Sequence, residues 1–137
     1  MRKMLIVLLL ALLVPISAQA KHEFLEREYQ EQMCKDFGGL TEFVLADRTR
    51  VDCLTASHAI EFDFATKWAE AIGQSLHYAM MTGLGPGIVL IVEDVKNLVN
   101  VWRIKAIGKA YGVDIRVWII EPKDMIRNDP IGTSNET

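Results

Sequence analysis

Between Arg50 and Tyr78 the chain reads RVDCLTASHAIEFDFATKWAEAIGQSLHY, and few folds accommodate that stretch. Ile60, Phe62 and Phe64 alternate with Glu61 and Asp63, the two-residue period of a strand, which predicts an extended run over 59–65. Apolar residues then recur at Trp68, Ala69, Ile72, Leu76, Ala79 and Met80 with helical period. Thr66 stands where a cap belongs, so a helix is predicted over 67–81. Upstream, 49–55 reads as another extended run, joined to the first through Ala56-Ser57. If those two residues form the turn, Thr55 pairs with His58, Cys53 faces Ile60, Asp52 faces Glu61 and Arg50 faces Asp63.

Directly opposed residues on one sheet face have Cβ atoms about 4.5–5.5 Å apart. Asp52 and Glu61 would then stand side by side, a costly arrangement unless a cation bridges them. Mg²⁺ suits such a pair, because it takes one or two carboxylates, keeps several waters and binds substrate phosphate. A bound Mg²⁺ or Mn²⁺ lowers the pKa of an attacking water and stabilises charge on phosphorus. Asp63 has two readings, a third metal ligand or a partner for Arg50 across the hairpin. Lys67 begins a helix, where a cation opposes the helix dipole, so its position favours a role at the site over a solvated surface.

The remaining elements follow from periodicity and punctuation. Phe24, Leu25, Tyr29, Met33 and Phe37 predict a first helix over 22–37, ended by Gly38-Gly39. A strand is expected over 40–46, turned by Asp47-Arg48. The cluster Gly83-Leu84-Gly85-Pro86-Gly87 lacks the features of a phosphate loop and reads as a linker turn. Ile88 to Val92 is a continuous apolar run, the mark of a strand covered on both faces. A third helix is expected over 95–111, with Val95, Leu98, Val99, Trp102 and Ala106 on one side, and a last strand over 113–120. Strand, helix and strand of this kind make a parallel crossover. The third helix also carries Lys96, Arg103, Lys105 and Lys109, either as a phosphate-gripping ridge or as complements to the helix dipole. His58 and His77 are not at zinc spacing with each other or with the cysteines.

The ends carry different signals. Arg2 and Lys3 precede an apolar run from Leu5 to Val14, and Ala18-Gln19-Ala20 supplies a small-x-small cleavage pattern. Residues 1–20 therefore read as a secretory signal peptide, with an exported, periplasmic or secreted product and no membrane association after cleavage. Residues 21–122 make one small domain, and 123–137 are polar and aperiodic, expected as a loose tail. From Lys21 onward 13 basic face 18 acidic side chains, a net charge of −5 that does not favour binding a polyanion outside a local basic patch or a metal site. Cys34 and Cys53 are the two cysteines, and in an exported chain they predict one disulfide, worth ~3 kcal/mol on the chain-entropy model.

The element order αβββαβαβ, with Asp52 on the second strand and Glu61 on the third, resembles the restriction-endonuclease-like PD-(D/E)XK nucleases. That resemblance implies an α/β fold, a mixed sheet with helices on both faces. It implies Asp52, Glu61, Lys67 and Gln74 as catalytic residues, Asp52, Glu61 and Asp63 as candidate ligands of Mg²⁺ or Mn²⁺, and nucleic acid as substrate. The family lysine would fall at position 63, which here is Asp63; Lys67, four residues on, has the reach to replace it. Gln74 and Tyr78 look like the helix glutamine and tyrosine of many members, and Glu28 like the first-helix glutamate of some. Asp63 at the lysine position and the acidic net charge favour the alternative, a non-catalytic exported binding module on the same scaffold.

Overall fold

Alternation along the central strands sorts their side chains onto two helical layers. The computed structural model describes residues 22–125 in the order α1 (Glu26–Asp36), β1 (Leu40–Val44), β2 (Arg50–Leu54), β3 (His58–Phe64), α2 (Trp68–Thr82), β4 (Gly85–Ile91), α3 (Val99–Tyr111) and β5 (Arg116–Ile120). The five strands form one mixed sheet in chain order. β1, β2 and β3 are antiparallel, while β3, β4 and β5 run parallel. On one face, Ile60, Phe62 and Phe64 of β3 and Val89 and Ile91 of β4 pack with Tyr29 and Cys34 of α1. On the other, Ile88 and Leu90 pack with Ala71 and Ile72 of α2 and Ile104 of α3. β4 is buried on both sides from Gly87 to Ile91, as its unbroken apolar run requires.

Cys34 and Cys53 form the expected disulfide, with Cα atoms 5.6 Å apart, tying α1 to β2. Gly39 lies over it: a Cβ there would stand 2.5 Å from Cys53 Sγ and 2.9 Å from Cys34 Sγ.

Several local expectations are corrected. Gly85, Pro86 and Gly87 are not a linker turn but the first residues of β4, paired with His58, Ala59 and Ile60. The glycines are needed because a Cβ at Gly87 would meet the Trp118 ring at 2.9 Å and one at Gly85 would meet His58 at 3.0 Å. Thr66 does not cap α2; it lies in a 3-10 turn, Ala65–Lys67, that leads into the helix. The buried face of α3 consists of Asn100, Ile104 and Gly108, and the stripe Val95, Leu98, Val99 and Trp102 is exposed. Asn100 decides this orientation by donating its Nδ2 to the Ala65 carbonyl at 2.7 Å. Pro122–Asp124 form a further 3-10 turn and Met125 packs into the α1-side core, where a loose tail was expected. The segments 1–21 and 126–137, and with them the expected signal peptide and most of the expected tail, lie outside the described residues.

Candidate functional site

The antiparallel pairing of β2 with β3 is short, limited to Cys53–Ile60 and Leu54–Ala59. These pairs follow the register that a two-residue turn dictates. Beyond them the strands part. Asp52 does not continue the ladder; its Oδ2 accepts the Phe62 N–H at 2.8 Å, a carboxylate in the place of a strand carbonyl. The neighbouring ladder breaks at the same level, since the β1–β2 pairs Thr41–Cys53 and Phe43–Val51 bracket Glu42 and Asp52. Glu42 adopts φ 53°, the left-handed region that side chains rarely enter. The break also interrupts alternation: Val51 packs with Ala59 and Tyr78 on the α2 side, whereas Cys53 joins the α1-side core. Gln30 of α1 holds the distorted segment. Its Nε2 donates to the Asp52 carbonyl at 2.7 Å and to Glu42 Oε1 at 2.9 Å.

Into this gap project the acidic groups. Glu61 and Asp63 are 5% and 3% exposed, on the β3 face toward α2. The Asp52 and Glu61 carboxyls lie close enough for each to shift the other's titration. Burial and the adjacent Asp52 charge drive the Glu61 pKa far upward, and burial also raises that of Asp52. The pair as a whole therefore retains a proton well above the ordinary carboxylate range. Glu61 Oε2 is buried and accepts no hydrogen bond among the described residues. Burial pushes Asp63 up to about 7 against the opposing pull of Lys67, whose Nζ lies 3.8 Å from Asp63 Oδ1. Asp63 Oδ1 also accepts the Phe64 N–H at 2.8 Å. The Tyr78 hydroxyl donates to Gln74 Oε1 at 3.4 Å, and burial followed by the Glu61 and Asp52 charges holds Tyr78 protonated well above its ordinary range.

Two sequence-based assignments move. Arg50 does not pair with Asp63; its Nη1 lies 3.3 Å from Glu42 Oε2, because β2 turns toward β1 where it leaves β3. Glu28 does not reach the cluster; its carboxylate accepts the Leu25 N–H at 2.6 Å at the start of α1. The α1 glutamate at the site is Glu26, whose pKa is raised by burial and then by the nearby Asp52 charge. Glu26, Gln30 and Glu42 are thus the site residues that sequence reasoning missed. A usable signal existed for the first two. If Cys34 is bonded to β2, the residues one and two helical turns earlier, Gln30 and Glu26, must face β2 as well.

The histidines serve elsewhere. His77 Nε2 lies 2.8 Å from Asp47 Oδ2 in the β1–β2 turn, and His58 Nδ1 2.8 Å from Ser57 Oγ. As positioned, no three His, Cys, Asp or Glu side chains among the described residues form a group that could hold a metal ion. The Asp52–Glu61 pair nevertheless fits a hard cation of the Mg²⁺ type, which needs only one or two carboxylates. It offers a buried oxygen without a partner and a proton that a cation would displace. No protein-family model, curated protein or solved structure matches the chain.

Proposed function

We propose that the chain is a small exported metal-dependent nuclease, a divergent relative of the restriction-endonuclease-like PD-(D/E)XK enzymes. One observation carries the reading: β2 and β3 separate so that Asp52 and Glu61 meet in a buried gap with Lys67 beside it. The observed element order and the mixed sheet support it, and the Cys34–Cys53 disulfide supports export. In this reading Asp52 and Glu61 hold Mg²⁺ or Mn²⁺, with Asp63 and Glu26 as outer carboxylates. When bound, the metal supplies charge stabilisation to a phosphodiester and a more acidic water. Lys67 sets an ammonium against the reacting phosphate, and Asp63 holds that ammonium in place. Gln74, oriented by the Tyr78 hydroxyl, positions the water or the lysine.

The second reading, a binding module without catalysis, is favoured by Lys67 being engaged with Asp63 at the position the family lysine would fill. Incubation of the protein with plasmid, single-stranded DNA and RNA separates the two. Cleavage is expected with Mg²⁺ or Mn²⁺ and not in chelator. Asp52→Ala and Glu61→Ala should each lower the rate at least a hundredfold, and Lys67→Ala should lower it more than it weakens metal binding. Folded protein that binds the metal and cuts none of these substrates would establish the binding module instead.

A further inference from the structure

The outer side of α3 is apolar where a surface helix is ordinarily polar. Val95 is 70% exposed, Trp102 68%, Val99 48% and Leu98 37%, and their spacing places them on one side of the helix and its leading turn. Lys96, Arg103, Lys105 and Lys109 surround them, and no acidic residue occurs between Val95 and Val113. Arg103 is partly committed, stacked 5.6 Å from the Trp68 ring centroid and bonded to Asn100 at 2.8 Å. Lys96, Lys105 and Lys109 form no ion pair among the described residues. Lys105 and Lys109 also line, with Arg116 and Asp114, an open cavity of about 680 Å³.

Against the expectation from sequence of no membrane association after signal cleavage, we infer that this side of α3 docks on an anionic phospholipid surface. Aliphatic side chains and an exposed indole gain by entering the interfacial region, and unpaired cations around them complement lipid phosphates. The cavity beside Lys105 and Lys109 has room for a headgroup. A nucleic-acid strand is the poorer match, because a stripe of two valines and a leucine gives bases no stacking plane and Trp102 is the single ring within it; Tyr111, also exposed, stands nine residues on, at the other end of α3. The local positive charge stands out on a chain that is net negative. None of these α3 residues belongs to the acidic site described above, so docking does not depend on the nuclease reading.

Flotation with phosphatidylglycerol–phosphatidylcholine vesicles tests the surface, using the full chain and the chain beginning at Lys21. Both should float with the mixed vesicles, and the Lys21 form at least tenfold less with pure phosphatidylcholine or in 0.5 M salt, roughly the ionic strength at which exposed charges are screened. In the Lys21 form, Trp102→Ala and the double variant Lys105→Glu/Lys109→Glu should each cut vesicle binding tenfold or more with unchanged circular dichroism. Lys35→Glu on α1 should not. Asp52→Ala in chelator should float like the parent, which keeps docking distinct from catalysis. Flotation of the Lys21 form that ignores lipid charge, or that survives both α3 variants, overturns the inference. So does binding of a single-stranded oligonucleotide through these residues while vesicles are left unbound.

Discussion

At the scale of single residues, the site is governed by the cost of burying carboxylates together. Glu61 is forced to keep its proton by burial and by Asp52, so the neutral form is the one this fold accommodates without a cation. Glutamine copies that neutral form in shape. Glu61→Gln should therefore raise the melting temperature in chelator, by about 4 °C or more if the relief reaches ~1 kcal/mol, and abolish the added stability conferred by Mg²⁺. A melting curve that falls in chelator would mean Glu61 is charged in the fold. The same argument makes metal binding proton-coupled. Calorimetric titrations of Mg²⁺ in buffers of different ionisation enthalpy should show proton release near pH 7, and release should shrink in Glu61→Gln.

At the scale of elements, the site exists because β2 changes partner environment at Asp52. The carbonyl freed by the broken ladder is taken up by Gln30, a side chain only 4% exposed. Gln30→Ala leaves that part-buried carbonyl without its donor, while Glu42 keeps Arg50, and an unsatisfied buried acceptor costs about 1–3 kcal/mol. Urea unfolding should report a loss in that range. Because the same bond holds Asp52 in place, metal affinity should fall alongside stability. Unchanged metal affinity in a destabilised Gln30→Ala protein would show that Asp52 is held by Phe62 N–H and the disulfide alone.

At the scale of the whole molecule, raised carboxyl pKa values set the direction of pH dependence. Asp63, at about 7 in the fold and near 4 when unfolded, binds more protons folded than unfolded between those values. Its contribution to stability is fully present below about pH 4 and is lost as pH rises through about 7. Glu61, raised further, extends the loss to higher pH. In chelator the melting temperature should thus decline from pH 5 to pH 8, the reverse of ordinary acid denaturation. Saturating Mg²⁺ should flatten the decline, because a cation stabilises the charged forms. A metal-free protein that gains stability over that interval would contradict the buried-carboxyl account.

Much of this architecture was determined by the chain itself. The period-two run through Ile60, Phe62 and Phe64, the unbroken run Ile88 to Ile91 and the helical stripe of α2 are local patterns. Burial of one face or two follows from them directly, and the two-residue turn at Ala56-Ser57 dictated the Cys53–Ile60 register. Tertiary structure decided what depends on contacts between distant segments. Only the departure of β2 from β3 brought Arg50 to Glu42 rather than to Asp63. Only the docking of α1 chose Glu26 over Glu28, two residues apart on a helix with acids on several sides. The glycines of β4 read as breakers in the sequence, whereas in the fold Trp118 and His58 pack against them, and α3 turns its apolar stripe outward with Asn100 bonded to Ala65. Periodicity reports which side chains share a face; which face is buried is a property of the partner that covers it.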